Sequence, residues 1–237
     1  MIVIINGMPR SGSTLAFNVT RRLAQISGRL NESFPAAMTQ SGLHRFLLNA
    51  RSDPLDHSIA VVKCHYFIPP FDCAMHRHVK IIYTYRNPLD AMYSSIKIPE
   101  KAKVFEKMGY EPFIGGLELD YSHWLSMIWM PMTIKTTLRY EDFAGRVATN
   151  MVEPIAGFLG LYIDSMTYQS IANEFAVERV RNMTQDQHVA DSVTQFRPGH
   201  VSKGLGKVGR GAEHLPPVIA ARIRLQFEMW MKECFWE

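Results

Sequence analysis

The ten residues Asn6 to Leu15, NGMPRSGSTL, constrain this chain more than any other stretch. They follow the apolar run Ile2-Val3-Ile4-Ile5 and precede an amphipathic segment that continues to about Gly28, so a buried strand runs into a glycine turn and the turn opens a helix. The first turn of a helix carries backbone N–H groups without intrahelical partners and the positive end of the helix dipole, which suits a phosphate or sulfate. Gly7 and Gly12 let the backbone approach such an anion, and the hydroxyls of Ser11, Ser13 and Thr14 add donors. The spacing is that of the phosphate loop G-x-x-x-x-G-K-[ST], except that Ser13 stands at the lysine position. The lysine that a β,γ-triphosphate requires is therefore missing, and Arg10 is placed to supply charge from inside the loop. An ordinary strand-to-helix turn with a serine cap gives a similar pattern. The position behind a buried strand favours anion binding.

At 237 residues and 47% hydrophobic, the chain is sized for one domain over 1–237. Further buried strands are expected at Ser58 to Val62, Val79 to Tyr85 and Thr133 to Leu138. Helices are expected at Ala36 to Asn49, Pro88 to about Ile96, Gly116 to Trp129, Val147 to Leu159 (closing at Gly160), Ala172 to Met183 and Leu215 to Trp236. Lys97 to Gly115 reads as loop with a possible short helix, and Thr184 to Gly211 as a long loop. Alternating strands and helices predict an α/β fold whose central, mostly parallel sheet is flanked by helices on both faces.

The net charge of +4 suits a small anionic ligand and is too small to argue nucleic acid. Three cysteines at no framework spacing point to a reducing compartment. No charged leader precedes the first strand and no apolar run approaches a membrane span, so a cytoplasmic protein with no membrane association is expected.

Ligands of such sheets bind beyond the carboxyl ends of the strands. Those ends deliver the glycine turn, then Lys63 and His65, then Arg86, then Tyr140-Glu141. Arg86 with Ser94, eight residues on and about two helical turns in, forms a second candidate phosphate site. Its bland alternative is that Arg86 pairs with Asp90 while Ser94 faces solvent. Arg197, Lys203 and Gly204 form a third anion element, a loop able to fold over a nucleotide. Cys64 beside His65 reads as a small buried hydrophobe rather than a nucleophile. Cys73, His76 and His78 are too few for a metal centre and read as a solvated face, so no metal is expected. Tyr121, Trp124 and Trp129 recur at core spacing, although some could line a pocket.

Together these residues resemble the sulfotransferases that use 3′-phosphoadenosine-5′-phosphosulfate (PAPS), particularly the cytosolic type. Pro9 to Thr14 looks like the family's 5′-phosphosulfate loop, and Tyr85-Arg86-Asn87-Pro88-Leu89-Asp90 through Ser94 like its 3′-phosphate motif. Lys63-Cys64-His65 is similar to its lysine and catalytic histidine, Tyr140-Glu141-Asp142 to a further element, and Arg197 to Gly204 to a degenerate C-terminal cofactor loop. The resemblance spans Ile2 to about Gly209. It implies a P-loop NTPase-like fold, PAPS as donor with adenosine 3′,5′-bisphosphate (PAP) as product, and transfer to a hydroxyl or amine of a small-molecule acceptor. Cofactor contacts would come from Arg10, Ser11, Gly12, Ser13, Thr14, Arg86, Ser94, Arg197, Lys203 and Gly204. Arg10 replaces the usual loop lysine, Leu15 the adenine-stacking tryptophan, and the C-terminal loop lacks its usual tryptophan and has a longer glycine spacing.

The chemistry suits the residues without the resemblance. Sulfuryl transfer builds negative charge on the bridging oxygen and takes a proton from the acceptor. Lys63 and Arg10 can stabilise the charge without a metal, and His65 is the natural base. Two rivals remain open. A nucleotide-dependent kinase fits the glycine spacing but lacks the loop lysine and a Mg²⁺-binding acid after Tyr85; preference for ATP with Mg²⁺ over PAP marks it. A non-catalytic nucleotide-binding module predicts binding without transfer.

Overall fold

The computed structural model describes residues 1–39, 41–43, 45, 57–65, 78–185, 193–196 and 206–234. Four apolar runs become the strands β1 (Ile2–Gly7), β2 (Ala60–Lys63), β3 (Val79–Tyr85) and β4 (Lys135–Arg139). They pair in parallel in the order β2-β1-β3-β4. The register sets Ile5 beside Lys63, Gly7 beside Thr84 and Tyr85 beside Arg139, so all four carboxyl ends lie along one edge.

Side chains alternate across a strand, and here both faces are apolar because both are covered. Ile4, Val62, Ile81 and Tyr83 enter one core with Leu89 and Met92 of α2 (Pro88–Ile96), Trp124 of α4 (Glu111–Ile128) and Ile223 of α10 (Pro217–Gln226). Val3, Ile5, Val61 and Ile82 enter the other with Phe17 and Leu23 of α1 (Ser13–Ile26), Phe143 of α5 (Tyr140–Phe143) and Ile155 of α6 (Glu153–Leu159). Helix α6 ends as expected at Gly160, whose φ of 67° closes the last turn. The expected sheet with helices on both faces is the one found.

Several boundaries differ, each for a physical reason. Lys97 to Gly115 is mostly helix: α3 (Pro99–Met108) fills it and α4 begins at Glu111. Pro99 and Pro112 sit in first turns, where a missing N–H costs nothing, so they start helices instead of breaking them. Ala36 to Thr39 is not helical, because Ala37 bridges to Lys63 and Ala36 O accepts from Lys63 N at 2.9 Å, covering the edge of β2. Residues 41–43 and 45 are helical, and the rest of that expected helix lies outside the described residues. The helix expected from Ala172 is two, α7 (Ser165–Glu174) and α8 (Val177–Gln185), broken at Phe175. The terminal helix is likewise α10 and α11 (Glu228–Glu233), broken at Phe227 and preceded by the short α9 (Arg210–His214). Tyr121 and Trp124 stack in the core against Trp230, at 5.6 and 5.8 Å between ring centroids. Trp129, expected with them, is 84% exposed at the end of α4. Among the described residues no helix is long and apolar enough to cross a membrane.

Candidate active site

The turn after β1 is built against β3. Gly7 approaches Thr84 so closely that a Cβ would overlap its backbone and hydroxyl. Met8 N donates to Thr84 O at 3.1 Å. Ser11 is fully buried, its hydroxyl 2.6 Å from Thr84 Oγ1 and 2.7 Å from Met8 O. The side chain, expected to offer its hydroxyl to an anion, closes the turn from within against the β1–β3 pair. Arg10 and Gly12 take left-handed φ values of 70° and 85°. A non-glycine residue is strained there by about 1–3 kcal/mol, and such strain gathers at ligand clamps. A Cβ on Gly12 would also lie 2.7 Å from Phe143 Cζ. Gly12→Ala is expected to cost about 1–2 kcal/mol through strain and overlap, read as a lowered denaturant midpoint.

Helix α1 opens at once after Gly12, with no side-chain cap and no acid in its first turn. Ser13 and Thr14 are buried at its mouth. Lys63, one residue before Cys64, reaches across from β2 and donates to Thr14 Oγ1 at 2.7 Å. A neighbouring strand thus brings a cation to the helix mouth of a loop that has serine where a phosphate loop has lysine.

Arg10 and Arg86 converge on one cavity, lined also by Gly12, Leu15, Ser94, Tyr140 and Gly206. Arg10 Nε donates to Ser94 Oγ at 2.9 Å, which leaves the serine's own proton to give. Arg86 is 5% exposed. It donates to Arg10 O at 3.3 Å and to Lys207 O at 3.1 Å, and it packs over the Tyr140 ring at 4.0 Å. The Asp90 carboxylate lies 3.5 Å from it, so the pairing weighed as the bland alternative is present. That pairing does not use up the guanidinium, because its buried Nε has no hydrogen-bond partner among the described residues. Nor does Ser94 merely face solvent. Burial first, and then the charge of Arg86, lowers the pKa of Arg10, the signature of two cations confined together.

Asp90 has a second duty that the sequence did not reveal. Its oxygens accept from Gly209 N at 2.8 Å and Gly211 N at 2.6 Å, tying the later chain to α2. Tyr140 Oη donates to Gly206 O at 2.8 Å, and Glu141 Oε1 accepts from Asn87 N at 2.9 Å, so the pair after β4 braces the Arg86 region. The apolar wall of the cavity comes from Phe175, Val177, Val180 and Phe196. These were missed, since they arrive from a helix junction and a loop remote in sequence. Arg197, Lys203 and Gly204 lie outside the described residues, although Phe196 and Gly206 on either side both line this cavity.

His65 lines a second cavity, of about 430 Å³, with Pro9, Met92, Lys101, Phe113, Leu117 and Asp120. Its Nδ1 lies 2.8 Å from Gly7 O. A carbonyl only accepts, so Nδ1 carries the proton and the neutral ring holds its lone pair at Nε2. His123 was not anticipated; it is buried against Tyr83, and burial with the nearby His65 brings its pKa down to about 4. Cys64 is buried as expected and accepts from Asn6 Nδ2 at 3.4 Å. Among the described residues no cluster of His, Cys, Asp and Glu could hold a metal ion.

Comparison with known proteins gives this geometry its context. No curated sequence matches the chain. In three dimensions it is similar to a retinol dehydratase in complex with retinol and PAP: TM-score 0.62 at 16% identity, covering 98% of this chain and 81% of the other. A mouse sulfotransferase, SULT7A1, complexed with PAP is similar with TM-score 0.58 at 19% identity, over 98% and 83%. The sulfotransferase domain of the curacin biosynthetic pathway follows with TM-score 0.50 at 15% identity, over 96% and 97%. At these identities the likeness speaks for the fold. The model of the sulfotransferase domain, in contrast, matches residues 2–235, which is nearly all of the sequence. The chain belongs to the sulfotransferase family.

Proposed function

We propose that this protein transfers the sulfuryl group of PAPS to a hydroxyl or amine of a small-molecule acceptor, with His65 as general base. One observation carries the reading: a buried arginine, Arg86, keeps an Nε that is unpartnered among the described residues, on a cavity it shares with a second, half-buried arginine and a serine hydroxyl. A guanidinium donor left over on a cavity that a second arginine also lines suits an anionic group. Gly12, with no room for a Cβ, gives the backbone cradle for a second anionic group. The residues present therefore fit a nucleotide with phosphates on both sides of its ribose.

PAPS, when bound, supplies the sulfuryl group and a phosphate leaving group. Arg86 and Ser94 would hold the 3′-phosphate. Arg10, Lys63 and the N–H groups of Ser13 and Thr14 would hold the 5′ end and stabilise charge on the bridging oxygen as its bond to sulfur breaks. The acceptor oxygen forms the new bond to sulfur, and its proton passes to Nε2 of His65. Tyr140, Phe175, Val180 and Phe196 would flank the base in place of the tryptophan that Leu15 replaces. Arg197, Lys203 and Gly204 stay assigned to the cofactor. The acceptor is taken as small because His65 opens on a cavity of about 430 Å³, within the usual range for small ligands. The solved relatives that hold retinol or androsterone beside PAP agree with this. Three cysteines at no framework spacing suit a reducing, cytoplasmic setting.

The test is an incubation of the protein with PAPS and a panel of alcohols, phenols, amines and sugars, followed by mass spectrometry. A product heavier by one sulfuryl group, with PAP released in equal amount, is the expected outcome. PAP binding without transfer to any acceptor would make this a nucleotide-binding module, and preference for ATP with Mg²⁺ a kinase.

A further inference from the structure

Two cations beside the nucleotide cavity have no part in the transfer chemistry. Lys97, at the end of α2, places Nζ 5.2 Å from the centre of the Tyr93 ring. Arg210, the first residue of α9, places its guanidinium carbon 5.4 Å from the same centre. His214, at the other end of α9, stacks on Tyr93 with ring centroids 5.1 Å apart and accepts from Arg210 Nη2 at 3.4 Å. Among the described residues neither Lys97 nor Arg210 makes an ion pair. The acid of the cluster, Glu213, lies 3.7 Å from His214 instead.

An acid that held these cations would cancel their charge. An aromatic ring gathers cations through its quadrupole and leaves that charge to act outward. Helix capping does not account for both: Lys97 suits the carboxyl end of α2, but Arg210 opens α9, the end at which a cation is unfavourable. The chain also joins the cluster to the nucleotide cavity. Ser94, which lines that cavity, follows Tyr93, and Gly209 and Gly211 on either side of Arg210 are held by Asp90, the carboxylate that pairs with Arg86. Charge of one sign at the approach to a site speeds the arrival of a ligand of the other sign. We propose that Lys97 and Arg210, gathered around Tyr93, form an encounter site that captures the anionic nucleotide before it seats in the cavity. The assignment rests on the reading of that cavity as the nucleotide site. The two cations act on arrival, and Arg10, Arg86 and Ser94 on retention.

Stopped-flow association of PAP with the full chain, at low and at physiological ionic strength, tests this. Replacing both cations, Lys97→Gln with Arg210→Gln, is expected to slow association at low salt by about fivefold or more, to leave dissociation within about twofold, and to flatten the salt dependence. Lys97→Glu, a change at an exposed side chain that leaves α9 untouched, should also slow association. Arg210→Lys keeps the charge without the planar fork and should keep the native association rate. Unchanged association and salt dependence in the double variant, a loss confined to dissociation, or a loss that Arg210→Lys shares in full overturns the proposal. Equilibrium titration of the native protein with PAP reports separately on the nucleotide site: absence of binding there removes both readings, whereas native binding with unaltered rates in the variants removes the encounter site alone.

Discussion

Arg86→Gln is expected to weaken PAP binding by about 2–3 kcal/mol, a factor of roughly 30 to 150, because a charged hydrogen bond to phosphate is lost. Glutamine keeps polarity and much of the length, so the loss isolates the charge and the donor fork. Arg86 also donates to Arg10 O and Lys207 O and pairs with Asp90, so the variant must be shown folded before its affinity is interpreted. Two readings do that. Its thermal midpoint without ligand reports the structural part. Its affinity for adenosine 5′-phosphate, which lacks the 3′ group, should fall much less than its affinity for PAP. Equal losses for the two nucleotides would mean that Arg86 only supports the fold.

His65→Ala is expected to leave PAP affinity close to that of the native protein and to lower turnover by about 10² or more, the usual contribution of a positioned base. His65→Asn separates chemistry from position. Its amide can still donate to Gly7 O, as Nδ1 now does, but offers no basic nitrogen to the acceptor. Both variants should therefore be slow. If either retains native turnover in the transfer assay, His65 is not the base.

The sheet and the convergence of its carboxyl ends were legible in the sequence because continuous apolar runs of β-branched residues admit little else between helices. Arg10, Gly12, Arg86 and Ser94 do meet at one cavity, as their positions at strand ends and helix starts implied. What was hidden depends on tertiary partners. Ser11 could not be known to face Thr84 until the β1–β3 register was fixed. Pro99 and Pro112 punctuate the chain identically whether they end a loop or begin a helix. Phe175 and Phe196 carry no local pattern that marks a pocket wall. Asp90 was visible only as a competitor for Arg86, whereas it both pairs with that arginine and anchors Gly209 and Gly211. Asp120 lies within a helix whose apolar spacing drew attention to its neighbours.

All of this depends on a single nucleotide bridging the glycine turn and the end of β3. The most direct measurement is a crystal structure of the protein with PAP bound. The 3′-phosphate is expected within hydrogen-bond distance of Arg86 Nε and Ser94 Oγ, with the 5′-phosphate at Arg10, Lys63 and the first turn of α1. A nucleotide seated elsewhere, or one that reaches the glycine turn without contacting Arg86 Nε, would contradict it.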